Sequence, residues 1–258
     1  MKQLVLTMTA ALLMGSMSAT AQNRVKNLYT ETQQLKVEQV LNTEQPVQLS
    51  RYLMAGYNTL CLPLSMDAQQ LAATAKGIRV ECLEAIRQEG NVLSLYFVDC
   101  TDQGIEAGVP YLVFSPTAQY LRARNTEANA AGTELRTIRM SDGQGNQVAF
   151  GSSWELRTKE GLYGIPAKQN VAVLESVLIQ TTSDQSFLPT RCGFNWEEQA
   201  PSATKLEIKH ASQSDVTAIK GISRDQRNAD GEAYDLNGRR LSAPVKGINI
   251  IGGKKVIR

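Results

Sequence analysis

Apolar and polar residues alternate with period two along most of this chain, in short runs separated by glycine, proline, asparagine or serine. Val47, Leu49, Tyr52 and Leu53 lead into an Ala55-Gly56 turn. Tyr57 to Leu64 then reads as a mostly buried strand stopped by Pro63. Ser65 or Asp67 can cap the alanine-rich run 68–76, which predicts a short helix closed by Gly77. Ile78 to Ile86 and Val92 to Val98, joined by Glu89-Gly90-Asn91, predict a hairpin, and Pro110 to Phe114 another buried strand. Further short strands are expected at 148–150, 154–156, 162–163, 171–180, 187–196 and 205–209, with a weaker run at 35–41. The stretch 122–145 reads as polar and turn-rich. Many short strands and one brief helix predict an all-β fold, an antiparallel β-sandwich.

The C-terminal residues AYDLNGRRLSAPVKGINIIGGKKVIR carry the same signature in miniature. Tyr234 and Leu236 alternate with polar neighbours up to Asn237-Gly238, Ile248 and Ile250 alternate again, and Gly252-Gly253 turns the chain into a last strand. The expected organisation is a β-sandwich over 22–210, a linker over 211–231 rich in Ser, Asp, Arg and Gly, and a β-hairpin tail over 232–258.

The first 21 residues read as a signal peptide: Lys2, a largely apolar run from Leu4 to Met14, then Ala19-Thr20-Ala21 as the cleavage site. That apolar run is too short for a membrane-spanning helix, so no transmembrane span is expected after cleavage. Removing it takes one lysine and no acid, leaving a net charge of +1 and no electrostatic argument for binding nucleic acid. Export would place Cys61, Cys82, Cys100 and Cys192 in an oxidising compartment. Four cysteines allow three disulfide connectivities, and each also fits as a small buried hydrophobe.

Chemistry is sparse. His210 is the single histidine; a Ser-His-Asp or Cys-His device would have to use it, and a polar strand end with no nucleophile motif nearby predicts an at least partly exposed residue. One histidine excludes a histidine-built zinc site within one chain. Glu81 with Glu84, Asp99 with Asp102, and Glu197 with Glu198 are carboxylate pairs, but adjacency in sequence does not place two acids across a cleft. Asp99 to Gly104 lacks the length and terminal glutamate of an EF-hand loop and reads as a turn. No catalytic, cofactor or metal residue is therefore assigned. Trp154, Tyr163 and Trp196 are the aromatic platforms a sugar-binding sandwich would use. The parity of Trp196 with Phe194 and Cys192, and of Trp154 with Phe150 and Leu156, favours burial of both tryptophans.

AGYNTLCLPLSM (Ala55 to Met66), the capped helix after it, EAGVPYLVFSP (Glu106 to Pro116) and LPTRCGFNW (Leu188 to Trp196) together resemble a β-rich module of exported Bacteroidota proteins. There, a Gly-Trp-Asn-Thr-Leu-Cys-Leu-Pro-Phe strand precedes a helix, a hairpin and an Ala-Gly-x-Pro-Tyr-Leu strand. Tyr57 and Leu64 stand here where tryptophan and phenylalanine are usual. The tail is similar to a short type IX secretion sorting domain, through Tyr234, Asp235, Leu236, Gly238, Arg239, Gly247, Ile248 and Ile250, with Asn249 where tyrosine is usual. The resemblance implies a secreted or outer-membrane surface protein, with the periplasm as the fallback, handled by an export machinery. The expected function is non-catalytic interaction: adhesion, assembly or glycan contact, with a glycan or a cell-surface protein as partner. The alternatives are a two-carboxylate carbohydrate hydrolase and a fimbria-like subunit.

Overall fold

The computed structural model describes residues 25–32, 34–41, 46–125, 134–166, 176–217 and 219, and the backbone of four short strands between 233 and 257. The strands are β1 (Lys26–Tyr29), β2 (Val47–Leu53), β3 (Gly56–Leu60), β4 (Arg79–Glu89), β5 (Val92–Asp99), β6 (Tyr111–Ser115), β7 (Gln119–Arg124), β8 (Ile138–Ser141), β9 (Gln147–Gly151) and β10 (Arg157–Thr158). They continue as β11 (Tyr163–Gly164), β12 (Ile179–Gln180), β13 (Ser186–Phe187), β14 (Gly193–Glu198), β15 (Lys205–Ala211), β16 (Ala233–Tyr234), β17 (Arg240–Leu241), β18 (Ile248–Ile251) and β19 (Lys254–Ile257). The helices α1 (Val37–Leu41) and α2 (Ala68–Thr74) are short. Strand outweighs helix, 47% to 12% of the described residues, in a sandwich-like all-β fold.

A central sheet of order β15-β5-β4-β6-β3 is covered on both faces. On one side lies the sheet β1-β2-β7, with α1 and α2; their Leu49, Leu53, Leu121, Val40 and Leu71 join Leu60, Val80 and Val113 of the central sheet in a first, mainly aliphatic core. On the other side lies the sheet β12-β11-β14-β9-β8, whose Val148, Phe150 and Phe194 meet Leu83, Leu95, Phe97 and Leu112 in a second core. Alternation along β4 and β6 divides their side chains mainly between the two cores, while β5 gives Leu93, Leu95 and Phe97 to the second core and Tyr96 and Val98 to a small third cluster on its opposite face.

The β4–β5 hairpin follows the sequence expectation, with Glu89 opposite Val92 and Gly90 in the left-handed region at φ 63°. A bulge between Leu83 and Ala85 sets Glu84 out of register. Most pairings are antiparallel, but β1 with β2 and β15 with β5 are parallel. The run 35–41, expected as a weak strand, holds helix α1: Val37 and Val40 are buried at i, i+3 spacing. The capped helix ends at Thr74, with extended Ala75 as its C-cap, earlier than its expected Gly77 stop. β7 and β8 occupy the stretch read as turn-rich. Trp154 to Leu156, expected as a strand, forms a bend and a single bridge from Glu155 to Gln34.

Cys82 and Cys100 form a disulfide, while Cys61 and Cys192 are buried free thiols. Residues 213–217, at the start of the expected linker, are helical, and Val216 and Ile219 are buried against Tyr96 and Val98 of the central sheet. The rest of the linker lies outside the described residues, as does the signal segment. In the tail, β17-β16-β18-β19 form an antiparallel sheet of four strands rather than one hairpin. Tyr234, Ile248 and Ile250 lie on those strands; Asp235, Leu236, Gly238, Arg239 and Gly247 fall outside the described residues. No helix among the described residues is long and apolar enough to cross a membrane.

Candidate functional site

Along β15, Leu206 and Ile208 face the second core, and alternation brings His210 to the rim of the same face. Along β4, residues 79, 81 and 83 share that face, with Leu83 in the core and Arg79 and Glu81 beyond it. The two strands thus deliver a histidine, a carboxylate and a guanidinium to one corner. His210 Nδ1 lies 2.6 Å from Glu81 Oε2. Arg79 Nε donates to the other carboxylate oxygen at 2.7 Å, and Arg79 Nη2 donates to the Tyr57 hydroxyl at 2.8 Å. The Tyr57 ring stacks on the imidazole, centroids 4.4 Å apart and planes 16° from parallel.

The remaining ring nitrogen of His210, Nε2, meets Ser176 Oγ at 2.9 Å. Ser176 is 2% exposed and sits at φ 54°, a left-handed conformation that a residue with a Cβ rarely adopts. The Glu81 side chain is 3% exposed and that of His210 34%. A buried carboxylate of this kind needs partners for both oxygens, and Arg79 and His210 supply them. Burial works against the Arg79 charge, but the hydrogen bond and charge of Glu81 outweigh it and hold the guanidinium above its ordinary value. Burial, followed by the Glu81 charge, raises the Tyr57 hydroxyl.

His210 is therefore partly exposed, as expected, and both of its ring nitrogens have side-chain partners. The sequence gives little hint of this, because Glu81 and Ser176 lie 129 and 34 residues from it. The only available signals are that there is one histidine and that it shares parity with two core residues of its strand. Two of the other candidate carboxylates have local partners: Asp99 Oδ1 accepts from the Thr101 backbone and hydroxyl in a turn, and Glu197 pairs with Arg139 at 3.3 Å. No cluster with the makings of a metal site occurs among the described residues.

The aromatic trio expected as platforms is divided. Tyr163 and Trp196 meet edge-on at 6.2 Å and pack partly buried on the second core. Trp154 wedges between the two cores, its carbonyl accepting from Leu35 N at 2.8 Å. Among the described residues, the exposed aromatics lie instead on the outward face of β1-β2-β7. There Tyr52 stands opposite Tyr120, their rings 5.2 Å apart, and Tyr29 approaches Tyr120 edge-on at 6.0 Å. Tyr29 and Tyr52 are 51% and 36% exposed, and the Arg122 guanidinium lies over the Tyr120 ring at 5.5 Å. Arg124 Nε donates to Gln48 Oε1, and Gln48 Nε2 donates to Asn27 Oδ1, extending the face in polar side chains. A groove of about 410 Å³ adjoins it, with Gln48, Arg122 and Arg124 on one wall and Gln70, Ala73 and Thr74 of α2 on the other.

Comparison with known proteins finds no family model that matches this chain, no similar curated sequence and no similar solved structure.

Proposed function

We propose that this is an exported protein of the cell surface or secreted space that acts by contact, and that its contact surface is the outward tyrosine face of β1-β2-β7. The observation that carries this reading is the cluster of Tyr29, Tyr52 and Tyr120, at least two of them substantially exposed on a sheet face that could have been polar throughout. Aromatic rings in solvent offer large, stiff contact area at small entropic cost. Amides at Gln48 and Asn27 and guanidinia at Arg122 and Arg124 supply directional donors beside them. Flat rings edged by amides and guanidinia suit the apolar faces and hydroxyls of a glycan. Export rests on the N-terminal sequence and on the resemblance of the module and tail to exported Bacteroidota proteins.

Affinity electrophoresis of the intact protein through gels containing soluble polysaccharides tests the contact reading. Retardation by at least one polysaccharide, reduced about tenfold or more in apparent affinity by Tyr52→Ala with Tyr120→Ala, is the expected result. Unretarded migration across neutral and acidic polysaccharides alike defeats the glycan reading. Cell fractionation tests the location separately, and a mature protein confined to the cytoplasm would defeat export.

A further inference from the structure

We propose that Ser176, His210 and Glu81 form a nucleophile, a general base and an orienting acid, making a site that hydrolyses small acyl esters. The geometry is that of an activated serine. The hydroxyl lies 2.9 Å from one imidazole nitrogen and the carboxylate 2.6 Å from the other, so the base bridges the nucleophile and a third group that fixes its tautomer. With Nδ1–H donated to Glu81, the lone pair of Nε2 faces the Ser176 hydroxyl. Two further contacts hold the arrangement. Arg79 occupies the other oxygen of Glu81, which stops the carboxylate from rotating away, and Tyr57 stacks on the ring, which sets its plane.

A purely structural role explains less of this. Glu81 needs partners and has them in Arg79 and His210; nothing in that requirement calls for a serine on the far nitrogen, in a left-handed backbone conformation. Strain of that kind, persisting beside a histidine–carboxylate pair, is a recurrent property of reactive sites. The near-complete burial of Ser176 limits the electrophile to a group that projects a small carbonyl, such as an acetyl ester, and argues against an extended peptide.

The steps balance without any added reagent but water. Ser176 Oγ attacks the ester carbonyl carbon while its proton passes to His210 Nε2. The bond from carbon to the alkoxy oxygen then breaks, and the leaving oxygen takes that proton and departs as an alcohol. Water attacks the acyl-serine, passes its proton to Nε2, and the bond from acyl carbon to Oγ breaks as Oγ recovers the proton. The products are a carboxylic acid and an alcohol. In this scheme Ser176 and His210 are catalytic, and Glu81 is a positioning residue.

The test treats the intact protein with a fluorophosphonate probe, locates the label by peptide mass spectrometry, and follows p-nitrophenyl acetate hydrolysis in parallel. The expected outcome is labelling at Ser176 in the folded protein and none after unfolding in urea. Ser176→Ala and His210→Gln should lose the label and about a hundredfold or more of the hydrolysis rate. Glu81→Gln should keep some activity but with the acidic limb of its pH profile displaced, which a merely structural loss would not produce. Ser176→Cys keeps the packing and should exchange the fluorophosphonate label for rapid alkylation by iodoacetamide, should the alanine variant fold poorly. A folded protein that remains unlabelled at Ser176, or that hydrolyses the ester no faster than folded Ser176→Ala, overturns the proposal.

Discussion

The two faces of the central sheet are packed by different means. The first core, under β1-β2-β7, is mostly leucine, valine and isoleucine, and its rim is crosslinked by Cys82–Cys100. The second is built around three phenylalanines. Phe150 and Phe194 stack with centroids 4.3 Å apart, and Phe97 stands edge-on to both at 5.7 and 6.1 Å. Its two cysteines, Cys61 and Cys192, are buried and unpaired. Aliphatic side chains fill space with little directional preference, whereas aromatic pairs gain about 0.5–1.5 kcal/mol beyond area burial when their geometry is right. The difference shows that one residue type can serve one face as a covalent clasp and the other as a small apolar filler.

The largest effect expected from breaking this comparison comes from the aromatic side. Phe97→Ala removes the ring that touches both partners and leaves a cavity in a fully buried site, so a loss of about 3–5 kcal/mol is expected in urea unfolding. On the aliphatic side, Cys82→Ala with Cys100→Ala opens a link between positions 18 residues apart, for which loop-closure entropy gives about 3 kcal/mol. Unfolding curves of the two variants rank the faces directly. Equal losses from a thiol-reducing agent in the wild type and in the double variant would contradict the assignment of the crosslink.

How much of this could be read in the sequence varied with how strongly each segment buries its side chains. β3, the β4–β5 hairpin and β6 were legible because both faces are covered and their apolar runs are dense. β7 and β8 were not. In β7 only Leu121 and Ala123 point inward between exposed arginines, and β8 is an edge strand of four residues with no fully buried position. The run 35–41 is ambiguous in sequence because a helix of one turn and a short strand share so few positions that Val37 and Val40 fit either period. The corner at His210 was hidden for a different reason. Its three side chains come from three distant segments, and only the fold places Ser176 beside a histidine.

The two free thiols sharpen the comparison through pH. Burial pushes the Cys192 thiol up to about 12, and burial, with the neighbouring Cys192, raises that of Cys61 well above its ordinary value. The Ser152 hydroxyl, which donates to the Arg191 carbonyl at 3.0 Å, opposes this rise at both thiols by less than burial drives it. An acid whose folded pKa is raised binds its proton more tightly in the folded state. Stability is then whole below about pH 9, falls as the pH rises from there, and this contribution is fully lost once the pH passes about 12. Cys192→Ala removes one such group, so the wild-type and variant stability curves should converge by about 2 kcal/mol between pH 8 and about pH 10.5, over and above any constant offset from the lost sulfur. Curves that stay parallel over that range would show that the thiol ionises freely in the folded protein.

The smallest effect belongs to the aliphatic side and to one turn of helix. Asp67 Oδ1 accepts from Gln70 N at 2.8 Å, while Asp67 N donates to Gln70 Oε1 at 3.0 Å, closing a capping box at the start of α2. That helix buries a single leucine, Leu71, into the first core and forms one wall of the groove beside the tyrosine face. Asp67→Ala should cost about 1 kcal/mol, and Asp67→Asn, which retains an accepting oxygen, only a small fraction of that. Because α2 touches the first core and not the second, the alanine variant should shift the urea midpoint while leaving the slope between pH 9 and 12 as in the wild type. A changed alkaline slope would mean that the two faces of the central sheet respond together, and that the contrast between crosslinked aliphatic and free-thiol aromatic packing is one of composition alone.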